Sequence, residues 1–128
     1  MKVLALDYGP ARTGVAVSDP TGTLARPLRV VERAAAQDGL DELAELVRAE
    51  RVERVVVGLP LTLRGERGEQ ARETERFAEA LEAILDVPVE RFDERFTTTL
   101  AGPGSGEDAR AAAHLLTSYL EWWKNRRH

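Results

Sequence analysis

The sequence contains no cysteine, and it also lacks any long apolar segment. Without cysteine the chain can form neither disulfide bonds nor thiolate metal sites, which is consistent with a cytoplasmic protein. No apolar run approaches the roughly 20 residues that a transmembrane helix needs, so we expect no membrane partner. The first residues have a β-strand pattern with one lysine and an early aspartate. We therefore predict that they are not a signal peptide.

An excess of positive charge is also missing. The 128 residues include 18 basic and 22 acidic side chains, which gives a net charge of −4. This balance argues against a protein that binds nucleic acid non-specifically. The exception is the basic and aromatic tail from Trp122 to His128, which could bind nucleic acid, or could be a frayed terminus or a homodimer contact. The length and the 43% apolar content predict a single domain, residues 1–128, with a substantial core.

Hydrophobic patterning predicts the element order β-β-β-α-β-α-β-α. The predicted strands are residues 2–6, 13–18, 24–31, 52–57 and 87–92, and the predicted helices are residues 39–50, 69–85 and 107–123. Pro27 predicts that the third strand is irregular or lies at an edge of the sheet. A meander followed by βαβ crossovers predicts an α/β fold, a mixed five-stranded sheet with helices on both faces.

Acidic residues stand at the ends of several predicted elements. Asp7 follows the first apolar run, Asp93 and Glu94 follow the last strand, and Asp108 opens the final helix. A carboxylate beside a core is costly unless it has a counter-charge, hydrogen bonds or a metal. Asp7 could otherwise cap a turn, and Asp108 could cap its helix. Three separated acids at element ends indicate a divalent-metal site for phosphoryl chemistry.

Five stretches carry a resemblance to a known family. They are Leu4-Ala-Leu-Asp-Tyr-Gly9, Arg12-Thr-Gly-Val-Ala-Val-Ser-Asp-Pro20, Val55-Val-Val-Gly-Leu-Pro-Leu61, Asp93-Glu-Arg-Phe-Thr-Thr98, and Asp108 with Ala111-Ala112 ahead of Ser118-Tyr119-Leu120. In this order they resemble the YqgF family, also called RuvX, of RuvC-like Holliday-junction resolvases. The family has a ribonuclease H-like fold.

The resemblance implies a metal-dependent nuclease that processes the 5′ end of the 16S ribosomal RNA precursor. Resolution of branched DNA is the alternative substrate. The implied catalytic residues and ligands for Mg²⁺ or Mn²⁺ are Asp7, Glu94 and Asp108. Neighbouring side chains of a strand alternate, so only one of Asp93 and Glu94 can face the site, and the family pattern favours Glu94. Asp93 is then expected to point elsewhere, to Arg95 or to a backbone amide.

Four arginines are candidate phosphate-binding residues. Arg12 and Arg95 lie beside the predicted metal ligands, and each could instead form an ion pair with a neighbouring acid. Arg64 and Arg67 lie in the loop after the fourth strand, at a strand end where open α/β sheets bind ligands.

One departure from the family pattern leaves other functions open. Relatives carry a further helix and a lysine-rich stretch where this sequence has only the glycine-rich segment Leu100–Gly106. A non-catalytic member that binds nucleic acid or a protein partner is therefore a second hypothesis. A nucleotide-binding ATPase fragment is a third, although such proteins need two domains of this fold to close on ATP.

Overall fold

Five strands form one mixed sheet in the order β3-β2-β1-β4-β5. The computed structural model describes residues 1–62, 64–96 and 109–126. The strands are β1 Val3–Asp7, β2 Arg12–Ser18, β3 Ala25–Glu32, β4 Arg54–Leu59 and β5 Val89–Asp93, and the helices are α1 Gln37–Ala49, α2 Glu69–Ile84 and α3 Ala109–Arg126. The predicted order of elements and the mixed five-stranded sheet are confirmed.

The sheet is antiparallel on one side of β1 and parallel on the other. β1 pairs antiparallel with β2, and β2 pairs antiparallel with β3. β1 pairs parallel with β4, and β4 pairs parallel with β5. Pro27 lies in β3, which is an edge strand as predicted, and the β2–β3 register shifts between Val15 and Ala16. The carboxyl ends of β1, β4 and β5 therefore lie at one end of the sheet.

Alternating side chains give the sheet two separate cores. Leu4, Leu6, Val55 and Val57 belong to the core that includes α1 and α2. Val3, Ala5 and Val56 belong to the core that includes α3. Successive strand side chains point to opposite faces, so helices on both faces are needed to bury both sets. The prediction of helices on both faces is confirmed, and the alternation determines which face each strand-end side chain must take.

The described part of the C-terminal tail, residues 122–126, is helical and belongs to α3. The Trp122 ring packs 5.5 Å from Phe92, and the Arg126 guanidinium lies 4.7 Å above the Trp122 ring. The Arg54 guanidinium lies 4.8 Å from the Trp123 ring. These contacts order the two indoles against the sheet and strand β4. No helix in the described ranges is both long enough and apolar enough to span a membrane.

Tyr119 links α3 to the start of β5. Its ring is fully buried, and its hydroxyl donates to Glu90 Oε1 at 2.9 Å. The same oxygen accepts a 2.7 Å bond from Arg54 Nη1. Burial and the Glu90 carboxylate both raise the pKa of Tyr119, so the phenol remains a donor.

We expect Tyr119→Phe to lower the free energy of unfolding by about 1–2 kcal/mol, because the substitution removes a buried hydrogen bond to a charged acceptor. Urea denaturation at neutral pH measures this change. Thr117→Val is the matched control, since it removes an exposed hydroxyl from the same helix and should change stability by less than about 0.5 kcal/mol. Equal losses in the two variants would contradict a specific role for the Tyr119–Glu90 bond.

Candidate functional site

Asp7 and Glu94 meet at the carboxyl end of the parallel strands. Asp7 is the last residue of β1, and Glu94 opens a short 3-10 helix, Glu94–Phe96, that directly follows β5. Ala5 faces the α3 core, so the alternation along β1 turns Asp7 toward the same face. The two carboxyl groups lie close enough to form a hydrogen bond when one of them carries a proton. The structure therefore brings together two of the three predicted metal ligands.

Strand β4 separates β1 from β5, so the two acids must meet across it. Neighbouring strands lie about 4.8 Å apart, which leaves roughly 10 Å between the β1 and β5 backbones. The residue of β4 at this level is Gly58. It pairs with Phe92 of β5, and its neighbour Val57 pairs with Leu6 of β1. A Cβ on Gly58 would stand 2.5 Å from Glu94 Oε1 and 2.9 Å from Glu94 Cγ. Glu94 therefore occupies the space that a side chain at residue 58 would fill.

Burial and like charge shift the ionisation of both acids. Burial, followed by the nearby Asp7 carboxylate, raises the pKa of Glu94 to about 7. Burial also raises the pKa of Asp7, while the hydrogen bond from Glu94 acts in the opposite direction. These directions agree if Glu94 keeps the proton and donates it to the Asp7 carboxylate. A raised pKa of about 7 means that Glu94 takes up a proton as pH falls below neutral, because two adjacent, partly buried carboxylates cannot both ionise cheaply.

This donor set fits a hard divalent cation. Mg²⁺ and Mn²⁺ prefer carboxylate oxygens, and a cation would replace the proton that now relieves the repulsion. Among the described residues no three His, Cys, Asp or Glu side chains cluster as a metal site. The third predicted ligand, Asp108, lies outside the described residues, as do Thr97, Thr98 and the glycine-rich segment. Asp7 and Glu94 are thus the described part of the candidate site.

Asp93 points away from this pair and binds Arg95. Its carboxylate accepts from the Arg95 backbone N–H at 2.9 Å and from Arg95 Nη2 at 2.6 Å. The Arg95 guanidinium lowers the pKa of Asp93. The expectation that Glu94 and not Asp93 faces Asp7 agrees with this geometry. For Arg95, the ion-pair alternative is the one that the structure contains.

An open cleft of about 610 Å³ lies beside the two acids. Arg12 lines it, and no ion pair to Arg12 occurs within the described ranges. Arg64 and Arg67 are exposed in the loop between β4 and α2 and are not part of the lining. The predicted phosphate-binding arginines therefore do not converge on one point. Arg12 lines the cleft, Arg64 and Arg67 lie in the loop between β4 and α2, and Arg95 lies in the 3-10 helix after β5.

The cleft wall includes residues that the sequence did not single out as a site. Tyr8 follows Asp7 directly, and Glu73 and Thr74 lie on α2 beside Gln70. Residues 70, 73 and 74 have the i, i+3, i+4 spacing of one helix face, which is the signal that could have grouped them. That signal was not decisive, because polar residues at this spacing are also common on solvated faces.

Comparison with known proteins identifies the family. The RuvX family model, described as "Holliday junction resolvase", matches residues 1–122. This chain belongs to the RuvX family. A Rubrobacter xylanophilus relative named "Putative pre-16S rRNA nuclease" is 48% identical over 131 residues, covering 94% of this chain and 92% of the relative. A Chloroflexus aurantiacus relative of the same name is 48% identical over 99 residues, but the match spans only 65% of its length and 77% of this chain.

A solved structure shares the fold of this RuvX member. Thermus thermophilus RuvC, in complex with a Holliday junction substrate, superposes with a TM-score of 0.63 at 19% identity, covering 97% of this chain and 96% of that one. At this identity the likeness establishes the fold alone. The predicted ribonuclease H-like α/β sheet is confirmed.

The first test concerns the gap in β4. In Gly58→Ala the new methyl group must displace Glu94, because the β4 backbone is buried and the glutamate side chain is flexible. We expect Mn²⁺ affinity, measured by calorimetry, to fall about tenfold or more with the fold retained. Gly68→Ala is the matched control, since a Cβ there meets nothing within 4 Å. Unchanged Mn²⁺ affinity in Gly58→Ala would contradict the role of this gap.

The second test concerns the shared proton in the absence of divalent cations. Between the ordinary pKa of Glu94, 4.5, and its raised value of about 7, the folded chain holds a proton that the unfolded chain releases. The free energy of unfolding should therefore fall as pH rises through this window, by about 1–3 kcal/mol after allowance for partial exposure, and then level off.

Denaturation in EDTA at several pH values measures the effect as a difference between variants. Glu94→Gln stays neutral and should lose this part of the pH dependence. Glu79→Gln, an exposed carboxylate of α2, should keep it. Taking the difference also removes contributions of opposite sign, such as that of Asp19, whose pKa is held low by hydrogen bonds from Thr21 and backbone N–H groups. Parallel pH profiles for wild type and Glu94→Gln would contradict the shared proton.

Proposed function

We propose that this RuvX member is a metal-dependent nuclease that hydrolyses phosphodiester bonds in the cytoplasm, with the 5′ end of the 16S ribosomal RNA precursor as its substrate. Residues 1–128 would form its single nuclease domain. The observation that carries the proposal is the partly buried Asp7–Glu94 pair, two acidic side chains that meet in the lining of an open cleft. The names of the relatives from Rubrobacter and Chloroflexus support the choice of substrate.

In this proposal Asp7, Glu94 and Asp108 hold two Mg²⁺ or Mn²⁺ ions. Bound cations of this kind lower the pKa of an attacking water and stabilise the leaving oxygen. Release of the proton from Glu94 would make both carboxylates available as anionic ligands. Arg12, on the cleft wall, would bind a phosphate oxygen beside them. Arg64, Arg67 and Arg95 would contact the nucleic-acid backbone further along, with Arg95 held in place by Asp93.

A Holliday junction or other branched DNA is the second candidate substrate. The description of the RuvX family supports it, because that description names a junction resolvase. The same acids and the same phosphodiester chemistry would serve either nucleic acid, so the two candidates differ only in the surface that grips the substrate. Junction resolution would also need a homodimer to cut two strands.

We expect Asp7→Asn to lower cleavage at least about 100-fold, because loss of even an outer-shell partner of a metal ligand costs 10–100-fold. Its stability without metal should be unchanged or slightly higher, since one of two crowded charges is removed. The assay compares a 16S precursor RNA with a four-way DNA junction, each in Mg²⁺, in Mn²⁺ and in EDTA. Asp38→Asn, an exposed acid of α1, is the control and should cleave normally. Wild-type cleavage by Asp7→Asn would overturn the catalytic assignment, and binding without cleavage by the wild type would favour a non-catalytic member.

A further inference from the structure

The cleft beside the acids contains an aromatic surface that the nuclease chemistry does not use. The Tyr8 ring lies parallel to the Phe77 ring, with centroids 4.4 Å apart and an interplanar angle of 23°. Phe77 is 2% exposed and belongs to the core beneath α2, so it fixes the orientation of the tyrosine. Tyr8 itself is only half-buried and lines the cleft. One aromatic face is thus held rigidly beside the metal-ligand candidate Asp7.

A hydrogen-bond acceptor stands next to this ring. Glu73 on α2 lines the same cleft. Burial and the Glu73 charge raise the pKa of the Tyr8 phenol, whereas the charge of Arg76 lowers it. Within the described ranges Glu73 makes neither a hydrogen bond nor an ion pair. Thr74, beside it, donates its hydroxyl to the Gln70 carbonyl at 2.8 Å and is committed to the helix. Among the described residues, the side-chain groups left for a ligand on this part of the wall are the Gln70 amide and the Glu73 carboxylate. An ionised carboxylate can only accept hydrogen bonds, so Glu73 is the more selective of the two.

We propose that Tyr8 is a stacking platform for one unpaired nucleobase, and that Glu73 accepts a hydrogen bond from the amino group of that base. This subsite rests on the proposed function, because it places the base next to the phosphate that Asp7 and Glu94 attack. It makes the substrate single-stranded at the point of cleavage. A base in a duplex has both faces stacked and its pairing edge occupied, so it cannot use this wall.

The dimensions and charges of the cleft agree with such a ligand. A volume of about 610 Å³ lies within the range of roughly 300–1,000 Å³ that small-molecule sites span, and a nucleotide fits in it. Arg12 lines the cleft from the start of β2 and can bind a phosphate, whereas Glu73 lines it from α2, where a second phosphate would be repelled. A polar base edge that donates hydrogen bonds is therefore the part of a nucleotide that suits Glu73.

A comparison of cytosine with uracil tests the contact between the base and Glu73. They have the same size, but cytosine presents an amino donor where uracil presents a carbonyl acceptor. A carboxylate can only accept, so it should favour cytosine, whereas the amide of Gln can satisfy either base. A single good base contact discriminates by about fivefold or more.

The experiment measures binding of labelled ten-nucleotide oligocytidine and oligouridine, and of a ten-base-pair duplex, by fluorescence anisotropy in EDTA. We expect wild type to prefer oligocytidine over oligouridine about fivefold, and Glu73→Gln to lose that preference. Tyr8→Leu should bind both single strands about tenfold more weakly, with duplex binding unchanged, and the conservative Tyr8→Phe should restore single-strand binding. Glu79→Gln, on an exposed part of α2, is the control for loss of a negative charge.

Two results would overturn the proposal: a folded Tyr8→Leu that binds single strands as tightly as wild type, or a Glu73→Gln that keeps the cytosine preference. Tyr8→Leu could disturb Phe77, so its melting temperature is measured beside that of wild type. Glu73 is not part of the core, and its substitution tests the subsite independently. Because hydrolysis is not measured, these results stand apart from the nuclease assay: intact base preferences with no cleavage in metal would leave the subsite in place and remove the proposed function.

Discussion

Repulsion between two partly buried carboxylates is the constraint on which the candidate site depends. Asp7 and Glu94 belong to strands that are not neighbours, and each would be more stable in water than beside the other. Three features hold them together: the parallel register of β1, β4 and β5, the glycine between them, and one shared proton. A fold selected only for stability would place a cation or an apolar side chain here. The negative charge of this pair, which no basic side chain compensates among the described residues, is therefore the best physical sign of a site that binds a cation.

The opposite ends of the same strands show how the chain treats an acid with a structural role. Glu90, at the start of β5, accepts from both Arg54 and Tyr119 and has a counter-charge at 2.7 Å. Glu94, just beyond the end of β5, has Asp7 beside it instead. The two glutamates lie four residues apart on the same face of the sheet. Glu90 is next to a positive charge, whereas Glu94 is next to a negative one. Burial of an acid is thus not informative by itself, whereas burial next to a like charge is.

Local signals were sufficient to predict the elements but not the contacts between them. Within the described residues, alternating and helical periodicities located the five strands and three α-helices to within a few residues, but they missed the short 3-10 helix Glu94–Phe96. Pro27 indicated that the third strand is irregular or lies at an edge, and it is an edge strand. Asp7 was recognisable as a charge at the end of an apolar run. The choice of Glu94 over Asp93 needed a family resemblance, because strand alternation says that one of them faces the site without saying which. In the structure Asp93 pairs with Arg95, and Glu94 lies against Asp7.

What could not be predicted depends on register between distant segments. Gly58 reads in the sequence as the end of a strand, and its role emerges only when the β1–β4–β5 register places it between two acids 87 residues apart in the chain. Tyr8 likewise reads as a turn residue until Phe77 from α2 is packed against it. The same sheet order that creates the repulsion also builds the cleft, since the loop after β1 and the face of α2 meet at the carboxyl end of the sheet. Open α/β sheets bind ligands at the carboxyl ends of their parallel strands, so the topology of this sheet favours a ligand site at this end.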